Sequence, residues 1–182
     1  MQITRNTTVE EFLTKTKWEL ETPAEKPALA AALKYFAEHV PESVLNAPDN
    51  SSPWTPPGTT RTRLISWLQG IRLALGVNPQ RRLNMNERVV QWRLRSDPPT
   101  ARGDWFTWLS SSNSKLGIPA KQTAVRIFEV TAPITCMEST ASDAFCGWVA
   151  DGDAYRAGGA KQLFIYRDSA AARTLKLVGG AT

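Results

Sequence analysis

One histidine, two cysteines and three methionines leave this 182-residue chain little material for metal or redox chemistry. Cys136 and Cys146 cannot build a disulfide scaffold, and by themselves they cannot ligate a structural zinc. With His39 as the sole imidazole, a zinc site would need carboxylates as well, so no metal is expected. No run approaches the ~18 consecutive apolar residues of a membrane-spanning helix. Met1 to Glu11 lack the hydrophobic stretch of a secretory signal. Neither a Gly-x-x-x-x-Gly-Lys-Ser/Thr phosphate loop nor a Gly-x-Gly-x-x-Gly turn occurs, which argues against the common triphosphate and dinucleotide folds. The expectation is a protein that is cytoplasmic, or delivered into a target cell without a cleavable signal peptide. Its length suits one good-sized core or one domain with a helical appendage.

What the chain has in quantity is arginine. The net charge is +5, and nine arginines (61, 63, 72, 81, 82, 88, 93, 95 and 102) face only Glu87 and Asp97 between Arg61 and Gly103. Such a segment suits an anionic partner, whether nucleic acid, a nucleotide or an acidic protein. It equally suits a solvated face whose arginine stems pack on the protein.

The first third reads as helix. Thr8-Val9-Glu10-Glu11 is a capping box ahead of Phe12 and Leu13, and Thr22-Pro23-Ala24-Glu25 repeats the signal. Leu29, Ala32, Leu33, Phe36 and Val40 then keep helical spacing until Pro41. Residues 46–58 hold four prolines and read as a loop or linker. Leu64, Leu68, Ile71 and Leu75 predict a third helix stopped by Gly76. Beyond Asn78-Pro79, short branched and aromatic runs read as strands over residues 89–95, 105–109, 124–130, 162–166 and 174–178. In Val125-Arg126-Ile127-Phe128-Glu129-Val130 the alternation is clear. The fold expected is α+β, with N-terminal helices (1–76) packed on a mixed or antiparallel β-sheet (77–182), possibly as one continuous domain.

His39 falls in the last turn of a helix, where an imidazole can pair with exposed carbonyls, and no nucleophile has a context that would make it a base. Cys136 and Cys146 read as half-buried small side chains. One constellation is more specific. Val89-Val90-Gln91-Trp92-Arg93-Leu94-Arg95 is a strand ending in arginine. Gly103-Asp104-Trp105-Phe106-Thr107-Trp108-Leu109-Ser110-Ser111-Ser112 is an aromatic strand running into serines. Gly158-Gly159-Ala160-Lys161-Gln162-Leu163-Phe164-Ile165 is a strand entered by glycines.

That order, over residues 88–168, resembles the ADP-ribosyltransferase fold of bacterial toxin and effector domains. The resemblance implies NAD as substrate and a macromolecular target, protein or nucleic acid, with no membrane. It implies that Arg93, or else Arg95, grips the NAD pyrophosphate through a charge-assisted fork. It further implies that Trp105, Phe106 or Trp108 walls the nicotinamide, while Ser110, Ser111 and Ser112 orient the ribose. Nicotinamide departure leaves positive charge on the ribose, which a carboxylate stabilises. Here Gln162 stands at the expected catalytic glutamate. It can hydrogen-bond the ribose but carries no full charge, so Glu129, Asp151, Asp153 or Asp168 could substitute, or the domain binds without transferring. The competing reading is a non-enzymatic inhibitor or binding protein that presents the arginine-rich segment to nucleic acid or an acidic partner. The seven tryptophans (18, 54, 67, 92, 105, 108 and 148) would in either case suit a core.

Overall fold

A computed structural model describes residues 2–49, 61–94, 97–98, 101–111, 114–116, 123–142 and 158–180. The fold is α+β. The first helix, α1 (Val9–Thr16), opens on the capping box read from the sequence: Glu11 N donates to Thr8 Oγ1 (3.2 Å) and Thr8 N to Glu11 Oε2 (3.0 Å). The second, α2 (Glu25–His39), starts later than expected. A helix begun at Pro23 would meet Pro27, which has no N–H for the carbonyl four residues back. Starting at Glu25 keeps Pro27 in the first turn, where no N–H is needed. Thr22 instead closes a turn through Glu25 N (3.1 Å), and the Glu25 carboxylate accepts from Glu21 N (3.1 Å).

A short α3 (Glu42–Leu45) follows. The third predicted helix is cut short as α4 (Arg63–Gln69), capped by Thr62 and closed at Gly70. Ile71 leaves the helix to bridge Ala141, and a 3₁₀ turn covers Leu73–Leu75.

Seven antiparallel strands form one sheet among the described residues. They are β1 (Val77–Leu83), β2 (Arg88–Leu94), β3 (Trp105–Trp108), β4 (Thr123–Val130), β5 (Ile134–Thr140), β6 (Lys161–Phe164) and β7 (Leu175–Gly180), in the order β1-β5-β6-β3-β2-β4-β7. A four-residue helix, α5 (Ala170–Arg173), precedes β7. The sequence reading misses β1 and β5. In β1, Pro79 and four polar residues mimic a loop, and the strand tolerates them because it lies at the sheet edge and carries a bulge. Cys136, placed by the sequence in a strand-poor stretch, sits fully buried in β5.

Only residues 84–87 join β1 to β2, and only 131–133 join β4 to β5, although each pair stands four places apart in the sheet. Neighbouring strands lie about 4.8 Å apart, so a flat sheet could not be joined this way. The sheet folds over on itself and closes an inner core of Leu83, Val89, Phe106, Phe128, Val130, Ile134, Cys136, Leu163, Ile165 and Leu175. The outer core lies on the other face, where α1, α2 and α4 pack on Met137 and Phe164. The boundary at residue 76 therefore marks a change of secondary structure across which the core continues.

Phe164 joins the layers. It is fully buried, with ring centroids of Phe36 and Trp67 at 4.9 Å, Trp105 at 5.0 Å and Tyr35 at 6.3 Å. Truncation leaves a cavity bounded by both layers, so Phe164→Ala is expected to lower unfolding stability by about 3–5 kcal/mol. Urea denaturation checks this, and an unchanged midpoint would place the junction elsewhere.

Candidate functional site

Register decides which of the sequence-nominated residues share a face. Val90 pairs with Thr107, Thr107 with Gln162 and Gln162 with Ser139, so all four point to the helix-covered side. Between Arg88 and Leu94, β2 keeps an unbroken register with β4. Arg93, three residues on from Val90, therefore points to the opposite side. The sheet itself separates Arg93 from Gln162.

Gln162 is buried, and its Nε2 donates to the Gly70 carbonyl (2.8 Å) and to Ser139 Oγ (3.3 Å). It ties the end of α4 to the middle of the sheet. The glycines before it follow from turn geometry: Gly158 and Gly159 have φ of 58° and 91°, conformations that favour glycine. Trp105 packs edge-on against Phe164 in the outer core. Phe106 and Trp108 belong to the inner core. Ser110 and Ser111 lie in the turn after β3, at the end of that strand remote from Gly103. Arg95, Ser112, Asp151, Asp153 and Cys146 lie outside the described residues.

The site that does assemble is a cluster of arginines where β2 ends. Arg93 Nη2 meets Asp97 Oδ2 at 2.8 Å, and both side chains are about a quarter exposed. Arg93 Nε is buried and finds no acceptor among the described residues. A Cβ at Gly103 would fall 2.9 Å from Arg93 Nη1 and 3.1 Å from Gln91 Nε2, so a larger residue there would push the ends of these two side chains aside. Gln91 holds β2 to the start of β3, donating to the Trp105 carbonyl (2.9 Å) and accepting from Gly103 N (2.8 Å). From β4, Arg126 donates to the carbonyls of Ala101 (2.6 Å) and Asp97 (3.0 Å).

The next residue along, Asp104, is buried and accepts from Arg167 Nε (3.0 Å) and Nη2 (2.6 Å). Arg102 donates to the Ala172 carbonyl (2.8 Å) and lies over the Phe128 ring. Four guanidinium groups thus gather at this end of the sheet with the carboxylates of Asp97 and Asp104, and Asp168 acts on Arg167 as well. Alternation along β4 was visible in the sequence and sets Arg126 beside Phe128. The value of Arg126 as a loop anchor was not visible, because it depends on Asp97 returning to meet it.

Four more arginines of the basic segment are also engaged. Arg61 donates to Gln69 (2.8 Å), Arg88 pairs with Glu129 (3.3 Å), and Arg81 lies 3.7 Å from Glu138 and over the Trp108 ring. Arg72 has a partner as well. His39 holds the Tyr35 carbonyl through Nδ1 (2.9 Å) and stacks on the Tyr35 ring, the helix-end role its position predicts. Burial pushes the Cys136 thiol up to about 12. No metal-sized cluster of His, Cys, Asp and Glu occurs among the described residues, and no described helix is long and apolar enough to cross a membrane.

No protein-family model matches the chain, and no curated protein matches it. In structure it is similar to a chain of the complex of Tse6 with Tsi6, with a TM-score of 0.58 and 16% identity over 87% of this chain and 99% of that one. A chain of the Rhs1-CT complex with its cognate immunity protein RhsI1 matches at a TM-score of 0.39, with 13% identity over 57% and 78% of the two chains. The first likeness is one of fold; the second is too slight to argue from.

Two outcomes follow. Replacing the Gln162 amide by a carboxylate sets a charge against the Gly70 carbonyl, so Gln162→Glu is expected to cost about 1–3 kcal/mol at neutral pH. Burial raises such a carboxyl above its unfolded value. The stability of the variant is therefore kept below the ordinary carboxylate range and lost as pH rises through the raised value. Denaturation midpoints from pH 4 to 8 test this, and a pH-independent difference from wild type would contradict it. In the native protein, Cys136 is expected to resist iodoacetamide at pH 8 and to react once unfolded. Peptide mapping reads this directly.

Proposed function

We propose that this chain is an ADP-ribosyltransferase-like effector or toxin domain that binds NAD at the β2 end of the sheet, with Arg93 on the pyrophosphate. The observation that carries the reading is Arg93 itself: a strand-end guanidinium about a quarter exposed, with one nitrogen on Asp97 and a buried Nε that finds no acceptor among the described residues, amid an excess of arginine. Phosphate oxygens in a fork with Arg93 would use donors that Asp97 leaves over. The fold shared with a chain of the Tse6–Tsi6 complex, a protein solved together with a protein partner, supports a domain that meets a protein partner.

Catalysis in this reading breaks the bond between nicotinamide and ribose, and it needs negative charge beside the ribose. Gln162 does not supply that charge, since its amide is bound to Gly70 and Ser139 beneath the helices. Glu129 is paired with Arg88. Asp168 stands close enough to the Tyr166 hydroxyl to raise its pKa, second to burial as a cause. Asp151 and Asp153 are thus the acids to substitute first.

The arginine-rich binding-protein reading draws less support. Of its nine arginines, six are bound to groups of the protein itself, which suits packing better than an anion-binding surface.

Titration calorimetry with NAD and a nicotinamide-release assay test the proposal. Arg93→Ala is expected to weaken NAD binding about ten- to a hundredfold. Asp97→Asn, which removes the competing carboxylate, is expected to tighten it. A wild-type protein with no saturable NAD binding at millimolar concentration overturns the reading. Binding without nicotinamide release leaves an NAD-binding domain that has given up transfer.

A further inference from the structure

The two edges of the sheet are built differently. β1 is blunted. Pro79 offers no N–H, Gln80 N is taken by Asn78 Oδ1 (3.0 Å), and the pairing with β5 is irregular between Asn78 and Arg81. These are the devices by which proteins keep edge strands from recruiting another chain. β7, at the other edge, pairs only with β4 among the described residues. It contains no proline, Lys176 through Gly180 are all exposed, and Leu177 and Val178 show 44% and 42% of their surface to solvent. Its one irregularity, an extra residue at Val178, lies against β4, and no described strand pairs with the outer edge.

Charge selects the occupant. From Ser169 to Thr182 the chain carries Arg173 and Lys176 and no acidic residue. Both side chains are exposed, and neither makes an ion pair among the described residues. Glu129, the register partner of Lys176 on β4, is held by Arg88. Pairing β7 with a second copy of itself would bring four such cations to one interface, which disfavours self-association. We propose that the free edge of β7 accepts an extended acidic segment of a partner protein as an eighth strand. Main-chain hydrogen bonds run along Lys176–Gly180, branched side chains of the segment cover Leu177 and Val178, and its carboxylates face Arg173 and Lys176. This inference does not rest on NAD binding: Lys176–Val178 and Arg173 are not residues of the β2 site, and only Gly180 pairs with its Arg126.

The test uses the whole ¹⁵N-labelled chain and two synthetic ten-residue peptides, one alternating glutamate with valine and one alternating lysine with valine. The glutamate peptide is expected to shift the amide resonances of Lys176–Gly180 saturably, more weakly as salt rises, while the lysine peptide leaves them in place. Arg173→Glu with Lys176→Glu alters only exposed side chains, so the fold is retained. It should weaken binding of the glutamate peptide by about tenfold and admit the lysine peptide. Three results would each overturn the proposal: no shift at these amides with millimolar glutamate peptide, equal shifts with both peptides, or a β7-paired dimer of the chain alone in sedimentation equilibrium. NAD titration of the same sample reads the β2 site separately, so the failure of one does not mimic the failure of the other.

Discussion

Two connections too short to cross a flat sheet set the shape of this molecule. The turn between β1 and β2 is tied by Asn86, at φ 69°, whose N–H donates to the Val130 carbonyl (2.8 Å), and by Val130 N donating to the Glu87 carbonyl (2.9 Å). Asn84 N donates to the Glu87 carboxylate within the same turn. The end of β4 is thus sewn to the turn that leaves β1, and Leu83 pairs with Ile134 at the same corner. Once that corner is closed, the concave face is filled almost wholly by strand side chains, with Ala172 of the short α5 the buried helical contribution among the described residues. The convex face is left for α1, α2 and α4.

This division explains why residues adjacent in a sequence pattern are distant in chemistry. A strand sends alternate side chains to opposite faces, and here the two faces have different neighbours. Gln162 falls on the helix side, where an amide that donates twice serves as a rivet between α4 and the sheet. Arg93 falls on the other, at a strand end where the loop carrying Asp97 and Ala101 returns. Arginine suits that place because its planar fork can hold one anion and still offer donors. The carboxylate of Asp97 takes part of that capacity, and Nε has no acceptor among the described residues. Elsewhere the pairing is complete: Asp104 and Arg167 satisfy each other through two nitrogens and a backbone N–H, which makes that pair a structural lock.

The α+β class was legible because local signals and the fold agree. The Thr8–Glu11 box, the apolar spacing of α2 and the alternation in β4 each depend on residues a few positions apart. What was hidden depends on distant ones. β1 reads as a loop because the requirements on an edge strand are relaxed, and Pro79 is tolerated there without a ladder bond to lose. β5 is second in sheet order, and it was hidden because Cys136 and Met137 carry no β-branch to mark it. The helix expected through Leu75 stops at Gly70 since Ile71 is claimed by Ala141 and Arg72 N by the Thr140 carbonyl (2.8 Å). The site was half legible. A strand-end arginine could be read from Val89 to Arg95, but which face it occupies depends on pairings with β3, β4 and β6 that no single strand encodes.

The basic character of the chain reads differently once the fold is known. Nine arginines in one stretch look like a surface made for an anion, yet folding distributes them over α4, β1, β2 and the loop before β3. There, Gln69, Glu138, Glu129, Asp97 and the Ala172 carbonyl engage five of them. Only part of a local charge excess survives as a field that a partner can feel, because an internally paired cation offers little to a newcomer. The sequence-dense cluster is therefore weaker as an anion surface than its count suggests. The two cations beside β7 that have no ion pair among the described residues are few, but they flank an edge that no described strand covers, and the two demands can be answered by the same strand.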